Sequence, residues 1–284
     1  MNNLKLHPLI HLHPILILFV LTSIWTGAFF ELLILFVTVS IHEYGHFWMA
    51  RRFGWRIQKV TLWLFGGTMV CDEHGSRPFK EQLLVTLAGP LQHVWMLLAL
   101  YGLIPFVSPQ VDHLIHLAIF YNWLILGFNL LPVWPLDGGK LAFYFFSRWI
   151  PYRTAHHTII LFSIGFLICL ILFFATTGLF TLHGILLACF LLVENRLEWK
   201  QRYYTFIRFL LFRQRMAERM KEVRTIHLDS QWTVWKVLTN IRSDRQYNYL
   251  VDEGKVVKEK DCLDSFFQQG NPHLLLYELI SDRK

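Results

Sequence analysis

The stretch Ser40-Ile41-His42-Glu43-Tyr44-Gly45-His46 is the most informative part of this chain. It has the pattern H-E-x-x-H and is flanked on both sides by apolar residues. On an α-helix, His42 and His46 lie one turn apart on the same face. This spacing suits two ligands of Zn²⁺, and Glu43 beside them can act as a general base. The alternative is a membrane helix with buried histidines near its interfacial end and no chemical role for the motif.

The composition is that of a membrane protein. Of 284 residues, 54% are hydrophobic and 17% are charged, and the mean hydropathy is +0.39, whereas soluble domains carry about 25% charged residues. We therefore expect a polytopic α-helical membrane protein in a lipid bilayer. The net charge of +7 comes from Lys and Arg beside apolar segments, so it predicts orientation and not a nucleic-acid partner. The four cysteines form no C-x-x-C pair, which argues against a disulfide framework and a thiolate zinc site.

Six apolar segments predict six transmembrane helices. Their approximate ranges are 14–30, 32–50, 83–104, 114–131, 158–176 and 180–193. Basic residues follow the second, fourth and sixth of these segments, and the connections after the other three contain none. Both termini are therefore expected in the cytosol. The H-E-x-x-H motif and Asp137 then fall on the same side of the membrane.

A re-entrant hairpin is predicted between the second and third spans. Residues 60–70 are rich in β-branched and aromatic residues, and Gly66-Gly67 lies at their centre. Apolar hairpin backbone at membrane depth must be buried in protein or line a cavity, and its edge can capture an extended peptide by strand addition. The alternative is a plain interfacial loop.

Asp137 is the candidate third metal ligand. It lies among two prolines and two glycines after the fourth span, so we expect a loop and not a helix to present its carboxylate. With His42 and His46 it would complete a zinc site that keeps one position open, as catalytic zinc requires. Taken alone, Asp137 before Gly138 is more typical of a turn.

The third span contains Ala88-Gly89-Pro90 followed by Gln92 and His93. Gly-Pro loosens a helix and allows another backbone to approach closely. We interpret His93 as a buried histidine that is hydrogen-bonded to a neighbour, with a third metal ligand as the alternative.

Beyond the predicted membrane domain, residues 1–196, the chain becomes polar. Residues 197–222 predict a basic amphipathic helix, with Arg213 on its polar surface, that either lies on anionic lipid or serves as a linker. Residues 223–284 predict a small α+β cytosolic domain with strands at 223–227, 247–251 and 256–257 and helices at 234–241 and 261–267. So small a domain buries little core alone, which favours pairing with a second copy.

Three motifs together resemble the signatures of site-2 intramembrane metalloproteases, peptidase family M50. They are His42-Glu43-Tyr44-Gly45-His46, Ala88-Gly89-Pro90 and the segment Asn129-x-x-Pro132-x-x-Pro135-Leu136-Asp137-Gly138-Gly139. The resemblance covers most of the membrane part and, only loosely, the C-terminal domain. Within the family, this predicted architecture of six spans and one C-terminal CBS-like domain resembles that of a subgroup that acts in sporulation.

The resemblance implies roles for individual residues. One Zn²⁺ would be held by His42, His46 and Asp137, and Glu43 would be the catalytic base. Asn129 matches a position associated with substrate or transition-state binding, and Phe65-Gly66-Gly67 matches a re-entrant segment near the substrate cleft. The full set of implied substrate or transition-state positions is Asn129, Pro132, Pro135, Phe65, Gly66 and Gly67.

The same resemblance implies a biological setting. The activity would be cleavage of the membrane-associated pro-region of pro-sigma-K in the mother cell, at the membrane around the forespore. Inhibitory membrane partners similar to BofA and to stage IV sporulation protein FA are implied, and the CBS-like domain would sense ATP. The sequence departs from the family pattern at Lys258, where a small hydroxyl residue usually stands three positions before Asp261. This departure weighs against nucleotide binding at these positions.

Three other functions compete with this interpretation. A catalytically inactive regulator with a nucleotide-sensing tail would have no need of all four residues Glu43, His42, His46 and Asp137. A metal-ion transporter would need polar groups along both halves of the bilayer, where the sequence offers mainly Gln92, His93 and Asn122. A protease acting on an anti-sigma factor usually carries an extracytoplasmic PDZ-type domain, for which the short outer loops leave no room.

Overall fold

The computed structural model describes residues 4–7, 10–12, 15–63, 66–71, 77–178, 182–216, 223–243, 245–251 and 255–281. The helices in these ranges are α1 (Ile15–Thr26), α2 (Phe29–Arg52), α3 (Phe79–Leu103), α4 (Pro109–Asn129), α5 (Asp137–Trp149), α6 (Tyr152–Thr177), α7 (Leu182–Met216), α8 (Val234–Thr239), α9 (Glu259–Asp264) and α10 (Leu276–Ser281). The strands are β1 (Leu4–His7), β2 (Ile10–Leu12), β3 (Ile57–Trp63), β4 (Gly66–Cys71), β5 (Val223–His227), β6 (Gln246–Val251) and β7 (Lys255–Lys258).

These elements group into two compact units. The first unit contains α1 to α4, strands β1 to β4 and the first turn of α5. The second unit contains the remainder of α5, then α6, α7 and the C-terminal elements. The H-E-x-x-H motif of α2 belongs to the first unit.

Four of the described helices are long and apolar enough to cross a membrane: α2, α3 with its short extension to Phe106, α4 and α6. They correspond to the predicted second to fifth spans. Helix α1 has only 12 described residues, and α7 has 35 residues and continues far past the predicted sixth span.

Helix α2 has one face toward protein and another toward its surroundings. Thr38, His42 and Gly45 are buried, and their spacing of three to four residues places them on one side of the helix. Large apolar side chains are exposed along α2: Leu33, Val37, Ile41, Tyr44 and Trp48. An exposed apolar stripe of this length suits contact with lipid.

Helices α2 and α3 approach each other closely because Gly45 has no side chain. A Cβ atom at Gly45 would lie 2.5 Å from the carbonyl oxygen of Ala88, closer than packed atoms approach. Near the end of α2, Ala50, Trp55 and Val85 form a small buried cluster. The two helices are therefore packed together both at the H-E-x-x-H motif and beyond it.

The first unit also contains a four-stranded sheet in the order β1-β2-β3-β4. Strands β3 and β4 are antiparallel, with Trp63 opposite Gly66 and Leu62 opposite Gly67, so the predicted hairpin is confirmed as a hairpin. Phe65 lies outside the described residues. Strands β1 and β2, the latter parallel to β3, were not predicted.

The expectation that a loop presents Asp137 is wrong, since Asp137 is the first residue of α5. An aspartate is favourable in the first turn because its negative charge faces the positive end of the helix dipole. The close approach of the chain before α5 also requires Gly138: a Cβ there would overlap the carbonyl oxygens of Leu130 and Leu131. This contact explains how a helix begins at a sequence that locally favours a turn.

In the second unit, two buried side chains hold the segment that precedes α5. The backbone N–H of Trp134 donates to Ser163 Oγ at 2.8 Å. The Asn195 amide donates to the carbonyl of Trp134 at 2.5 Å. Ser163 and Asn195 are both fully buried, so α6 and α7 fix this proline-rich segment with specific hydrogen bonds.

Helix α7 continues without a break from its apolar first half into the basic stretch, so residues 196 and 197 lie inside one helix. The predicted exposure of Arg213 is wrong, because this side chain is only 1% exposed. Its Nε and Nη2 atoms each lie 2.7 Å from a carboxylate oxygen of Glu259. The apolar residues Phe206 and Leu210 of the same helix are also buried within the protein and do not face lipid.

The C-terminal residues fold as a small α+β module, which we call the C-terminal module (residues 223–281). Strand β5 is parallel to β6, and β6 is antiparallel to β7; the three predicted strands and two predicted helices are present. Helix α10 was not predicted. The Asp261 carboxylate accepts a hydrogen bond from the N–H of Lys258 at 2.9 Å and thereby caps α9.

Candidate metal centre

Three potential metal ligands converge in the first unit. Helix α2 supplies His42 and His46, and the start of α5 supplies Asp137. The two Nε2 atoms are 3.0 Å apart. Asp137 Oδ2 lies 3.2 Å from Nε2 of His42 and 3.1 Å from Nε2 of His46. The predicted convergence of two imidazoles and a distant carboxylate is therefore present.

The donor set fits a zinc ion. Tetrahedral zinc with bonds of about 2.0–2.1 Å holds neighbouring ligand atoms about 3.3 Å apart, close to the three observed separations of 3.0–3.2 Å. Two neutral nitrogens and one carboxylate oxygen are typical ligands of catalytic zinc, with the fourth position left for water or substrate.

The hydrogen bonds behind the imidazoles support the same conclusion. His46 Nδ1 lies 2.8 Å from the carbonyl oxygen of Val85. Because a carbonyl only accepts, this nitrogen carries the proton, and the Nε2 lone pair of a neutral His46 is left facing the site. His42 is held by His93, whose Nε2 is 3.0 Å from His42 Nδ1. Nitrogen lone pairs facing each other at 3.0 Å repel, and a cation between them removes this repulsion.

Gly89 leaves room for the two imidazoles. A Cβ atom at Gly89 would overlap Nε2 of His46 and would lie 2.8 Å from Cε1 of His42. The Gly-Pro pair was expected to allow close approach of another backbone. The structure shows that the neighbours of Gly89 are the ligand rings themselves, whereas the close backbone approach occurs at Gly45.

Two charged residues flank the candidate ligands. Glu43 is half-buried on α2, and its carboxylate acts electrostatically on His46. Lys140 Nζ lies 4.0 Å from the second carboxylate oxygen of Asp137. An acid–base group and a cation thus stand close to the three ligands.

The remaining predicted site residues lie on two other segments. Asn129 is the last residue of α4 and is half-buried; Pro132 and Pro135 follow it in the connection to α5. Gly66 and Gly67 begin β4, and Phe65 falls outside the described residues. Among the described residues, the ligand group contains only His42, His46 and Asp137.

The interpretation of His93 as a buried, hydrogen-bonded histidine is confirmed. Its partner Asn122 and the contact of His46 with the carbonyl of Val85 were not predicted. A polar residue inside an apolar span requires a partner, and this rule marked both His93 and Asn122 without pairing them.

Comparison with known proteins identifies the family. The sequence matches peptidase family M50 over residues 30–110 and 105–172. It is 35% identical over 279 residues to stage IV sporulation protein FB of Bacillus subtilis (strain 168), covering 95% of this chain and 96% of that protein. The chain belongs to peptidase family M50. The matched region of this zinc metalloprotease family includes His42, His46 and Asp137.

Two further comparisons, with a named zinc metalloprotease and with a solved site-2 protease, agree. A zinc metalloprotease of Methanocaldococcus jannaschii is 26% identical over 258 residues, which cover 87% of this chain and 74% of that protein. The solved structure of a site-2 protease from Methanocaldococcus jannaschii has a TM-score of 0.54 and 24% identity, covering 70% of this chain and 94% of that chain. This structural likeness supports the fold. Together with its apolar helices, membership of the family makes the chain an integral membrane zinc metalloprotease.

Proposed function

We propose that this M50 protease is an intramembrane endopeptidase that cleaves the pro-sequence of a pro-sigma-K-like, membrane-associated substrate during sporulation. The observation that carries the proposal is the convergence of His42, His46 and Asp137 beside Glu43, on a helix with a lipid-compatible stripe. The substrate class is supported by 35% identity to stage IV sporulation protein FB over almost the full length of both chains.

In this proposal His42, His46 and Asp137 hold one Zn²⁺, which supplies a Lewis acid when bound. The Glu43 carboxylate accepts a proton from the attacking water and then passes it to the leaving nitrogen of the peptide. The Asn129 amide donates a hydrogen bond to the carbonyl oxygen as negative charge develops there; one such donor contributes about 3–4 kcal/mol.

The hairpin supplies a means of holding the substrate. A helical substrate engages its carbonyls in its own hydrogen bonds, so it must unwind before cleavage. Strand β4 is the last strand of the described sheet, and we assign to it, together with Phe65, Gly66 and Gly67, the pairing with an extended substrate segment. Pro132 and Pro135 lie in the segment between Asn129 and Asp137, to which we assign further contacts with the substrate.

The proposal includes a membrane arrangement. It comprises six spans in residues 1–196, a re-entrant hairpin, a linker in residues 197–222 whose described part is the continuation of α7, and a CBS-like cytosolic domain in residues 223–284. The distribution of Lys and Arg supports cytosolic termini. Location at the membrane around the forespore and inhibition by partners similar to BofA and to stage IV sporulation protein FA rest on the family resemblance. Pairing of two CBS-like domains rests on the small core that one such domain buries alone. ATP is not included, because the Asp261 carboxylate caps α9.

The test is the variant Glu43→Gln in the full-length protein, co-expressed with a pro-sigma-K-like substrate. We expect it to retain zinc and lose cleavage, because the amide cannot accept the proton. His46→Ala should lose both zinc and cleavage, and a substrate with an unrelated membrane segment is the control for specificity. Full cleavage by Glu43→Gln would contradict the role of Glu43. A zinc-loaded wild-type protein that cleaves no substrate would favour the inactive regulator.

A further inference from the structure

A chain of buried polar side chains lies behind the metal ligand His42. His42 Nδ1 is 3.0 Å from His93 Nε2. On the other side of its ring, His93 Nδ1 contacts Asn122 Oδ1. The Asn122 amide nitrogen donates to the carbonyl of His93 at 3.2 Å. All three side chains are at most 3% exposed, so water does not replace these partners.

The hydrogen bonds in this chain have one consistent direction. An imidazole that binds a cation through Nε2 carries its proton on Nδ1, so His42 donates to His93 Nε2. A His93 ring that accepts at Nε2 carries its proton on Nδ1 and donates to Asn122 Oδ1. The Asn122 amide is fixed in this orientation because its nitrogen donates to the His93 carbonyl. Each ring N–H group therefore has one acceptor: His93 Nε2 for His42, and Asn122 Oδ1 for His93.

The other imidazole ligand is supported differently. His46 Nδ1 is held by the backbone carbonyl of Val85, which belongs to α3 and is present whatever the side chain. His42 depends instead on two side chains, His93 from α3 and Asn122 from α4. The orientation of one ligand is thus determined by backbone, and that of the other by residues that a single substitution can remove.

We propose that His93 and Asn122 are positioning residues that fix the ring orientation and the tautomer of His42 for metal binding. This inference rests on the zinc site proposed above. Neither residue belongs to the candidate ligand group: His93 acts through His42, and Asn122 acts through His93. Removing a hydrogen-bond partner of a metal ligand typically weakens metal affinity by about 10–100-fold.

The test uses four variants of the full-length protein, purified in detergent. Asn122→Leu and His93→Leu each remove a hydrogen bond from the chain behind His42. His93→Gln keeps an amide oxygen, an acceptor, near the position of His93 Nε2. Thr38→Val is the matched control, because Thr38 is also a buried polar residue of the first unit. Among the described residues, its hydroxyl donates within its own helix, to the Ile34 carbonyl at 2.8 Å. Zinc affinity is measured by competition with a chelator, and ligand geometry by the visible absorption spectrum of the Co²⁺-loaded protein.

We expect Asn122→Leu and His93→Leu to bind zinc about 10–100-fold more weakly and to alter the Co²⁺ spectrum. His93→Gln should recover most of the affinity, and Thr38→Val should match the wild type. The thermal unfolding of the metal-free proteins distinguishes a variant that misfolds from one that folds but positions His42 poorly. If His93→Leu does not fold, Asn122→Leu still tests the hydrogen-bonded chain.

Wild-type affinity in Asn122→Leu would overturn the inference, as would His93→Gln behaving as poorly as His93→Leu, because packing and not hydrogen bonding would then explain the site. Failure of the zinc site itself is distinguishable: the wild type and His46→Ala would then bind zinc equally poorly. That result would overturn both proposals.

Discussion

Replacing Gly89 by alanine should separate metal binding from folding. The added Cβ would lie 2.8 Å from Cε1 of His42 and would overlap Nε2 of His46. Carbon atoms in contact prefer about 3.5–4.0 Å, so the His42 ring must move by about 0.7–1.2 Å, and the His46 ring by more. Zinc–ligand distances tolerate deviations of about 0.2 Å. The two imidazoles therefore cannot both remain in place as ligands.

The same substitution should leave the protein folded. Alanine is favoured over glycine inside a helix by roughly 0.5–1 kcal/mol, and overpacking costs about 1–3 kcal/mol. The ring of His46 can swing away to relieve the overlap, so the strain falls on the ligand set and not on the backbone. We expect the metal-free Gly89→Ala protein to unfold near the wild-type temperature. We expect it to bind zinc more than about 100-fold more weakly, a larger loss than removal of a hydrogen-bond partner of a ligand causes.

The assay combines chelator competition for zinc, thermal unfolding and substrate cleavage. Gly102→Ala is the control in the same helix, because a Cβ at Gly102 has no atom within 4 Å; it should retain zinc and activity. The reasoning is refuted if Gly89→Ala binds zinc as tightly as Gly102→Ala does. It is also refuted if the metal-free Gly89→Ala protein fails to fold, because the strain would then lie in the backbone.

Two further predictions concern the second unit. Arg213→Met leaves the Glu259 carboxylate buried without its cationic partner, which typically costs about 3–5 kcal/mol. We expect proteolysis of the C-terminal module to accelerate strongly, and the additional change Glu259→Leu to slow it again. A double variant as labile as Arg213→Met would argue against an electrostatic cause. Asn195→Leu leaves the carbonyl of Trp134 without its donor and should lower the free energy of unfolding by about 1–3 kcal/mol, seen as a lower melting temperature. Val193→Ala, at an exposed position two residues before Asn195 on α7, should melt near the wild-type temperature; equal losses in both variants would contradict a specific role for Asn195.

The two imidazoles were predictable because their relation is local. Four residues advance an α-helix by slightly more than one turn, so His42 and His46 share a face in any helix that contains them. Helix α2, from Phe29 to Arg52, is continuous through both. The helix, the spacing and the candidate chemistry thus followed from one short stretch.

The start of α5 was not predictable from its local sequence. Asp137 precedes two glycines, and glycine disfavours helix and favours turns. The helix nevertheless begins at Asp137, where Gly138 packs against the carbonyl oxygens of Leu130 and Leu131. This contact is tertiary, and no periodicity along the chain reveals it.

Long-range polar pairs were also beyond the sequence. Arg213 lies in a basic amphipathic stretch, where arginine is normally exposed, and its partner Glu259 is 46 residues away. His93 of α3 and Asn122 of α4, which pair with each other, are 29 residues apart in the sequence. The apolar surroundings mark His93 and Asn122 as unusual, whereas nothing in the sequence around Arg213 does, and only the folded chain reveals the partner of each.

The uninterrupted course of α7 has a mechanical consequence. Its 35 residues form a stiff rod about 52 Å long, in which a tilt of about 5° at one end sweeps the other end by about 4–5 Å. The C-terminal module is bound to the last part of α7 through the buried ion pair of Arg213 with Glu259. A displacement of the C-terminal module is therefore expected to move the apolar half of α7 with it, because a continuous helix and not a flexible linker connects the two.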